Sequence, residues 1–120
     1  MAEIIWTVIT TDCFNKWYEQ QDEDTQDSVL AHLLRLQQIG PYLARPYADT
    51  INGSAYSNMK ELRIQHRGKP IRAFFAFDPL RQAIVLCAGD KSNDKKFYEK
   101  MLRIAETEFT RYLNKLESKK

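Results

Sequence analysis

Between residues 59 and 89 the chain carries three β-prone runs in succession, MKELRIQH, PIRAFFAFD and QAIVLCAG, separated only by turn signals at Arg67-Gly68 and at Asp78-Pro79-Leu80-Arg81. Strands joined by connections this short pair with neighbours running the opposite way, because a parallel return needs a crossover of a dozen or more residues. The stretch therefore predicts an antiparallel meander, and everything else in the chain must be arranged around it.

Upstream, Ile4, Ile5, Trp6 and Val8 form a short strand-like run closed by the polar Thr10-Thr11-Asp12, which are suited to capping a helix. Phe14, Trp17 and Tyr18 follow at helical spacing. After the acidic Asp22-Glu23-Asp24 come Val29, Leu30, Leu33, Leu34 and Leu36, and Gly40-Pro41 stops the pattern. A helical hairpin from about 12 to 39 is predicted, with its apolar stripes read as core. Residues 41–57 lack a period and read as a connecting loop. From Asn93 or Asp94 onward, Phe97, Met101, Ile104, Ala105, Phe109, Tyr112, Leu113 and Leu116 recur every three or four residues, the mark of a long amphipathic helix. The order strand, helix, helix, three strands, helix gives a small α+β fold with helices against one sheet. At 120 residues it is read as one domain, 1–120, since two pieces would each be too small to bury a useful core.

With 43% hydrophobic and 28% charged residues the composition is that of a folded soluble protein, and the net charge of +2 conceals an asymmetry. Residues 1–58 hold three basic and eight acidic residues, net −5, whereas residues 59–120 hold fifteen basic and eight acidic, net +7. The second half thus points to a polyanionic partner. The N-terminus MAEIIWTVITTD has neither a basic region nor a long apolar run, so a cytoplasmic chain with no membrane partner is expected. Cys13 and Cys87 are the only cysteines, are expected to be reduced, and belong to no zinc-ligand spacing. His32 and His66 have no partners at ligand spacing, and no Ser/His/Asp set, paired-carboxylate pattern or glycine-rich phosphate loop is visible. No metal and no cofactor is expected.

Register turns the meander into chemistry. If the Arg67-Gly68 turn pairs Gln65 with Pro70, Arg63 lies opposite Arg72 on the face that also carries Glu61 and Phe74. If the second turn pairs Phe77 with Gln82, Arg72 is also opposite Cys87 on an open face. The other face then carries Leu62, Ile64, Ile71, Ala73, Phe75, Phe77, Ile84, Leu86 and Ala88 as the helix-covered core. Two arginines directly opposite are destabilising unless compensated, either by Glu61 within a surface network or by a bound phosphate. After the last strand, Lys91, Lys95 and Lys96 gather near a helix N-terminus, where cations oppose the macrodipole and an anion is welcome. Tyr98 beside them is either a stacking or proton-transfer group or simply a packing aromatic.

The stretches Ala44-Arg45-Pro46, Met59-Lys60-Glu61-Leu62-Arg63, Pro70-Ile71-Arg72-Ala73-Phe74-Phe75, Ile84-Val85-Leu86 and Gly89-Asp90-Lys91, followed by a basic helix, together resemble the HigB-like branch of the RelE/ParE toxins over about residues 3–113. The resemblance implies a compact RelE-like fold and the toxin role in a type II toxin-antitoxin system. It also implies a metal-independent, ribosome-dependent cut in messenger RNA and neutralisation by a HigA-like antitoxin with a helix-turn-helix domain. In such toxins the RNA's own 2′-hydroxyl attacks the adjacent phosphate. The protein then needs a base, cations for the developing charge and an acid for the leaving oxygen.

By position, Arg72 matches the arginine that meets the scissile phosphate. Lys91 matches the basic residue that stabilises charge or protonates the leaving group, and Tyr98 the tyrosine that orients the nucleotide or takes the proton. Arg63 is an electrostatic helper. The lysine pair of RelE on the strand before the hairpin is missing, with Met59 and Glu61 near those positions, which makes Glu61 the candidate base; Lys60 is turned toward the core by strand parity. Lys60, Arg67, Lys69, Lys95 and Lys96 are expected to contact RNA. An antitoxin segment wrapping the chain and covering or deforming access to this cationic site is also expected. The alternative on the same fold is a ParE-like toxin that binds and inhibits a topoisomerase without nuclease activity.

Overall fold

The computed structural model describes residues 5–119. Their elements run β1 (Val8–Thr10), α1 (Asp12–Glu19), α2 (Glu23–Ile39), a single 3-10 turn (Gly40–Tyr42), β2 (Ala48–Thr50), β3 (Lys60–His66), β4 (Lys69–Phe77), β5 (Ala83–Asp90) and α3 (Phe97–Ser118). This is the α+β architecture expected, with the helical hairpin and the meander in place. Ile4, the first residue of the anticipated N-terminal run, lies outside the described residues; the strand forms at Val8–Thr10.

Local chemistry fixes the helix starts. Thr11 is the N-cap of α1, its hydroxyl accepting from the Phe14 amide at 3.1 Å, and Asp22 caps α2 by accepting from the Thr25 amide at 2.8 Å. The Thr11 hydroxyl also donates to the Leu86 carbonyl at 2.7 Å, which ties α1 to β5. The final helix begins at Phe97, later than its apolar period suggested, because Asp94 spends its carboxylate in the preceding turn on the Lys96 amide at 3.0 Å.

The five strands order as β1-β5-β4-β3-β2, with β1 parallel to β5 and the remaining pairs antiparallel. The stretch read as a connecting loop contains β2, which pairs with the start of β3 as Ala48 opposite Leu62. At the first hairpin the register is as the turn dictated, Gln65 opposite Pro70 and Arg63 opposite Arg72.

The second hairpin departs from expectation by two residues, for two separable reasons. Asp78 donates its amide to the Gln82 carbonyl at 2.9 Å, closing a three-residue connection with Arg81 at φ 62, so that Phe77 meets Ala83 instead of Gln82. Then a bulge leaves Leu86 unpaired between Phe74–Cys87 and Phe75–Val85, and Arg72 comes to lie opposite Gly89 instead of Cys87.

A one-residue shift flips a strand's faces, and the core is redistributed accordingly. Leu62, Ile64, Ile71, Ala73, Phe75, Ala83, Val85 and Ala88 pack under α1 and α2 with Phe14, Val29 and Leu36. Ile84 and Leu86 turn to the opposite face, where they join Phe74, Ala76 and Cys87 beneath Phe97, Ala105 and Phe109 of α3. The sheet is therefore covered on both faces, and the open face expected around Arg72 does not exist. Leu30 and Leu34, read as core, are 46% and 50% exposed, because Val29, Leu33 and Leu36 already fill the inward side of α2. Among the described residues no helix is long and apolar enough to cross a membrane.

Candidate functional site

Strand parity places Glu61 and Arg63 of β3 and Arg72 and Phe74 of β4 on the α3 side of the sheet, and the first turn of α3 brings Tyr98 over them. The Tyr98 hydroxyl donates to Glu61 Oε1 at 2.6 Å. The same oxygen is 3.5 Å from Arg72 Nε, and Glu61 Oε2 is 3.5 Å from Arg63 Nε. The carboxylate thus lies between two guanidiniums and under a phenol, answering the like-charge pairing that the register forces.

Neither ion pair is a hydrogen bond. At 3.5 Å the attraction is Coulombic, and the Nε–H groups of Arg63 and Arg72 are buried without an acceptor in proper geometry. Arg72 is nonetheless fixed, its Nη1 donating to the Ile71 carbonyl at 3.0 Å. Glu61 and Arg72 are only 5% and 7% exposed, whereas the Arg63 side chain is 35% exposed. Arg72 is the floor of the arrangement and Arg63 its rim. A buried donor with no acceptor is costly to keep, and here two of them face the two oxygens of the one Glu61 carboxylate.

The aromatic surroundings set the rest. Tyr98 packs against Phe74 and Phe97, with ring centroids 6.0 and 5.4 Å away. Lys91 Nζ lies 5.6 Å from the Tyr98 ring centroid, and its backbone amide is anchored on the Pro70 carbonyl at 3.1 Å. The Phe97 ring packs closely on Gly89, opposite Arg72, where a Cβ would come 3.1 Å from it. Burial, and then the hydrogen bond to Glu61, push the Tyr98 phenol above its ordinary value, so it remains a neutral O–H donor at physiological pH.

Five of the residues singled out from the sequence, Glu61, Arg63, Arg72, Lys91 and Tyr98, therefore meet in one place. Arg72 does so buried and not on an open sheet face, because α3 closes that side. Lys95 and Lys96 are exposed in the turn leading into α3, within the same segment as Lys91 and Tyr98. Lys69 is exposed at the start of β4. Arg67 is drawn away to an ion pair with Asp24 on α2. Lys60 faces the other side of the sheet and borders a surface hollow with Arg45, Asp49 and Thr50. The shelf formed by Phe74 and Phe97 beneath Tyr98 was not anticipated, because Phe97 carries the same helical period as the α3 core. Among the described residues no three His, Cys, Asp or Glu side chains cluster as metal ligands, and both cysteines are free thiols.

Comparison with known proteins adds the lineage of this arrangement. The family described as phage derived protein Gp49-like (DUF891) matches residues 8–110. The putative toxin HigB2 of Mycobacterium tuberculosis is 37% identical over 96% of this chain, which spans 58% of that protein's length. The putative toxin HigB3 of the same organism is 44% identical over 76% of this chain and 79% of its own. In three dimensions, a mutant of the E. coli toxin RelE in the free state superposes with a TM-score of 0.58 at 11% identity, covering 83% of this chain and 98% of that one. The isolated E. coli RelE toxin does so with a TM-score of 0.58 at 12% identity, covering 82% and 98%. At such identity the likeness is one of fold.

Proposed function

The chain belongs to the Gp49-like family and to the HigB-like toxins of the RelE superfamily, and from that premise we propose that it is the toxin of a type II toxin-antitoxin pair and acts as a metal-independent endoribonuclease on messenger RNA at the ribosome. One observation carries the reading: two buried arginine Nε–H groups without acceptors converge on the Glu61 carboxylate, beside a neutral tyrosine and a lysine. A packing network would have spent those donors, whereas a phosphate-binding site keeps them for its ligand.

In the proposed reaction the scissile phosphate enters past Arg63 and is held by Arg72. Glu61 takes the proton of the adjacent 2′-hydroxyl as its oxygen bonds to phosphorus, with Tyr98 keeping the carboxylate oriented. The bond to the 5′-oxygen breaks, Lys91 supplies charge and a proton to that oxygen, and a cyclic phosphate and a free 5′-hydroxyl result. Preorganised cations aimed at developing charge are the main source of rate in such a site. Lys95 and Lys96, exposed in the turn before α3, hold the flanking backbone in this reading. The partner is an antitoxin with a helix-turn-helix domain, and the compartment is the cytoplasm.

The test is to add the protein to pre-formed ribosome–message complexes at controlled magnesium and map new 5′ ends, with naked RNA and a gyrase supercoiling assay alongside. Cleavage leaving 5′-hydroxyl ends is expected. Inhibition of supercoiling without any cut would replace this reading by the topoisomerase-binding one.

A further inference from the structure

The sheet face that carries the two arginines continues past them toward the first hairpin. Glu61, Arg63 and Gln65 alternate along β3 with Leu62 and Ile64, which pack under α1 and α2, so all three stand on the α3 side in steps of about 6.6 Å. Their cross-strand neighbours on that face are Phe74, Arg72 and Pro70. The residues of β4 buried beneath α3 are Phe74 and Ala76, toward the far end of the strand. At the hairpin end the face is open, with Gln65 exposed and Pro70 partly so.

The proposed chemistry gives this face a direction. Glu61, which takes the proton of the 2′-hydroxyl, is at one end and the arginines that hold the phosphate are in the middle. Lys91, which protonates the leaving oxygen, follows at the other end, its backbone amide resting on the Pro70 carbonyl at 3.1 Å. The nucleotide whose 5′-oxygen leaves therefore extends from Arg72 across Pro70 and Gln65. Arg63 and Lys91 carry donors only and suit a phosphate, whereas Gln65 carries both a donor and an acceptor. Its carboxamide makes no hydrogen bond with the described residues, so both groups are free for a ligand. A free carboxamide offers adenine a bidentate pair at N6 and N7; guanine, whose N7 and O6 both accept, gets no such pair at that edge.

We propose that Gln65 reads the base of the nucleotide on the 3′ side of the cut and favours adenine there, with the Pro70 ring beneath that base. This rests on the nuclease reading of the site and adds to it the residue that decides which bond of a message is cut.

The experiment uses pre-formed ribosome–message complexes whose messages differ only in the base that follows one mapped cut, and it compares cleavage rates at that bond for adenine, cytosine, guanine and uracil. The wild type is expected to prefer adenine over guanine by about tenfold, the scale of one bidentate base contact. Gln65→Leu is expected to bring that ratio toward one, and Gln65→Arg to turn it toward guanine, whose two acceptors match a guanidinium. Because the ratio is taken within each protein, the extra charge of the arginine variant cancels. Melting curves check that both substitutions at this exposed position leave the fold intact. Equal rates for the four bases in the wild type overturn the proposal and leave the nuclease reading standing, as does a leucine variant that keeps the wild-type ratio. A folded leucine variant that loses cleavage of all four messages alike also overturns it, since Gln65 would then serve the reaction and not the choice of base. A wild type that cuts none of the four sinks the nuclease reading itself, and the base preference falls with it.

Discussion

Arg72 reaches the site through a buried position, and that changes what its removal should do. Truncation to alanine leaves the Glu61 carboxylate buried with only Tyr98 and a long contact to Arg63, so Arg72→Ala should lose about 3 kcal/mol of stability as well as activity. Arg72→Lys keeps the charge and loses the forked donor. We expect it to stay folded by urea denaturation while cleavage falls by about 10²–10³; a lysine variant that cuts at the wild-type rate would remove Arg72 from the site. Tyr112 offers a cleaner test of a single group. Burial, and then its 2.7 Å hydrogen bond to Asp78, push its phenol up to about 12. Because the folded value exceeds the unfolded one, near 10, the contribution of Tyr112 is complete below pH 10 and is lost as pH rises through 12. The urea midpoints of wild type and Tyr112→Phe should therefore differ by a constant amount from pH 7 to 9 and converge above 10; a gap that stays constant to pH 11.5 contradicts the assignment.

At the scale of elements, the end of α2 depends on one glycine. Gly40 has φ 64, and a Cβ there would collide with the indole of Trp6, the residue whose backbone amide donates to the Gln37 carbonyl at 2.7 Å. Gly40→Ala should cost at least about 2 kcal/mol from backbone strain and ring displacement together, seen as a lower urea midpoint with the slope retained. Gly40-Pro41 was legible as a helix stop, but the tryptophan pressed on it was not, because that contact is between segments far apart in sequence. The sheet divides the same way. Arg67-Gly68 specifies its own register, so Arg63 opposite Arg72 was readable from local turn chemistry. The register of β5 depends on Asp78 satisfying the Leu80 and Gln82 amides and on a bulge at Leu86, whose carbonyl is held by Thr11 from another element. Nothing local announces a bulge whose stabilising partner is 75 residues away. The site inherits this division: Glu61, Arg63 and Arg72 follow from parity in one hairpin, while the burial of Arg72 and the packing of Phe97 against Gly89 follow from where α3 lands.

Over the whole molecule, the −5 half of the sequence supplies β1, α1, α2 and β2, and the +7 half supplies β3, β4, β5 and α3. Exposed Arg67 is paired with Asp24, whereas among the described residues no ion pair holds Lys95 or Lys96, so two exposed cations stand in the segment that leads from Lys91 to Tyr98. On the proposed reading this distribution makes a quantitative prediction for the binding of single-stranded RNA with a 2′-deoxy nucleotide at the scissile position, which lacks the attacking hydroxyl. Each phosphate neutralised contributes about −0.7 to the slope of log affinity against log salt, so contacts from Arg63, Arg72, Lys91, Lys95 and Lys96 would give a slope of about −3.5. Lys95→Gln with Lys96→Gln should make the slope shallower by about 1.4 and weaken binding alike across RNA sequences, since backbone contacts carry no sequence information. Both lysines are exposed, so stability should be unchanged. The acidic side supplies the control: Glu19→Gln with Asp27→Gln removes as many charges from the molecule but lies across the sheet from the site, and it should leave the slope as it was. Fluorescence anisotropy between 50 and 300 mM salt reads all three proteins directly. If the two pairs of substitutions shift the slope by equal amounts in opposite directions, RNA responds to net charge alone, and the basic start of α3 is not part of its binding track.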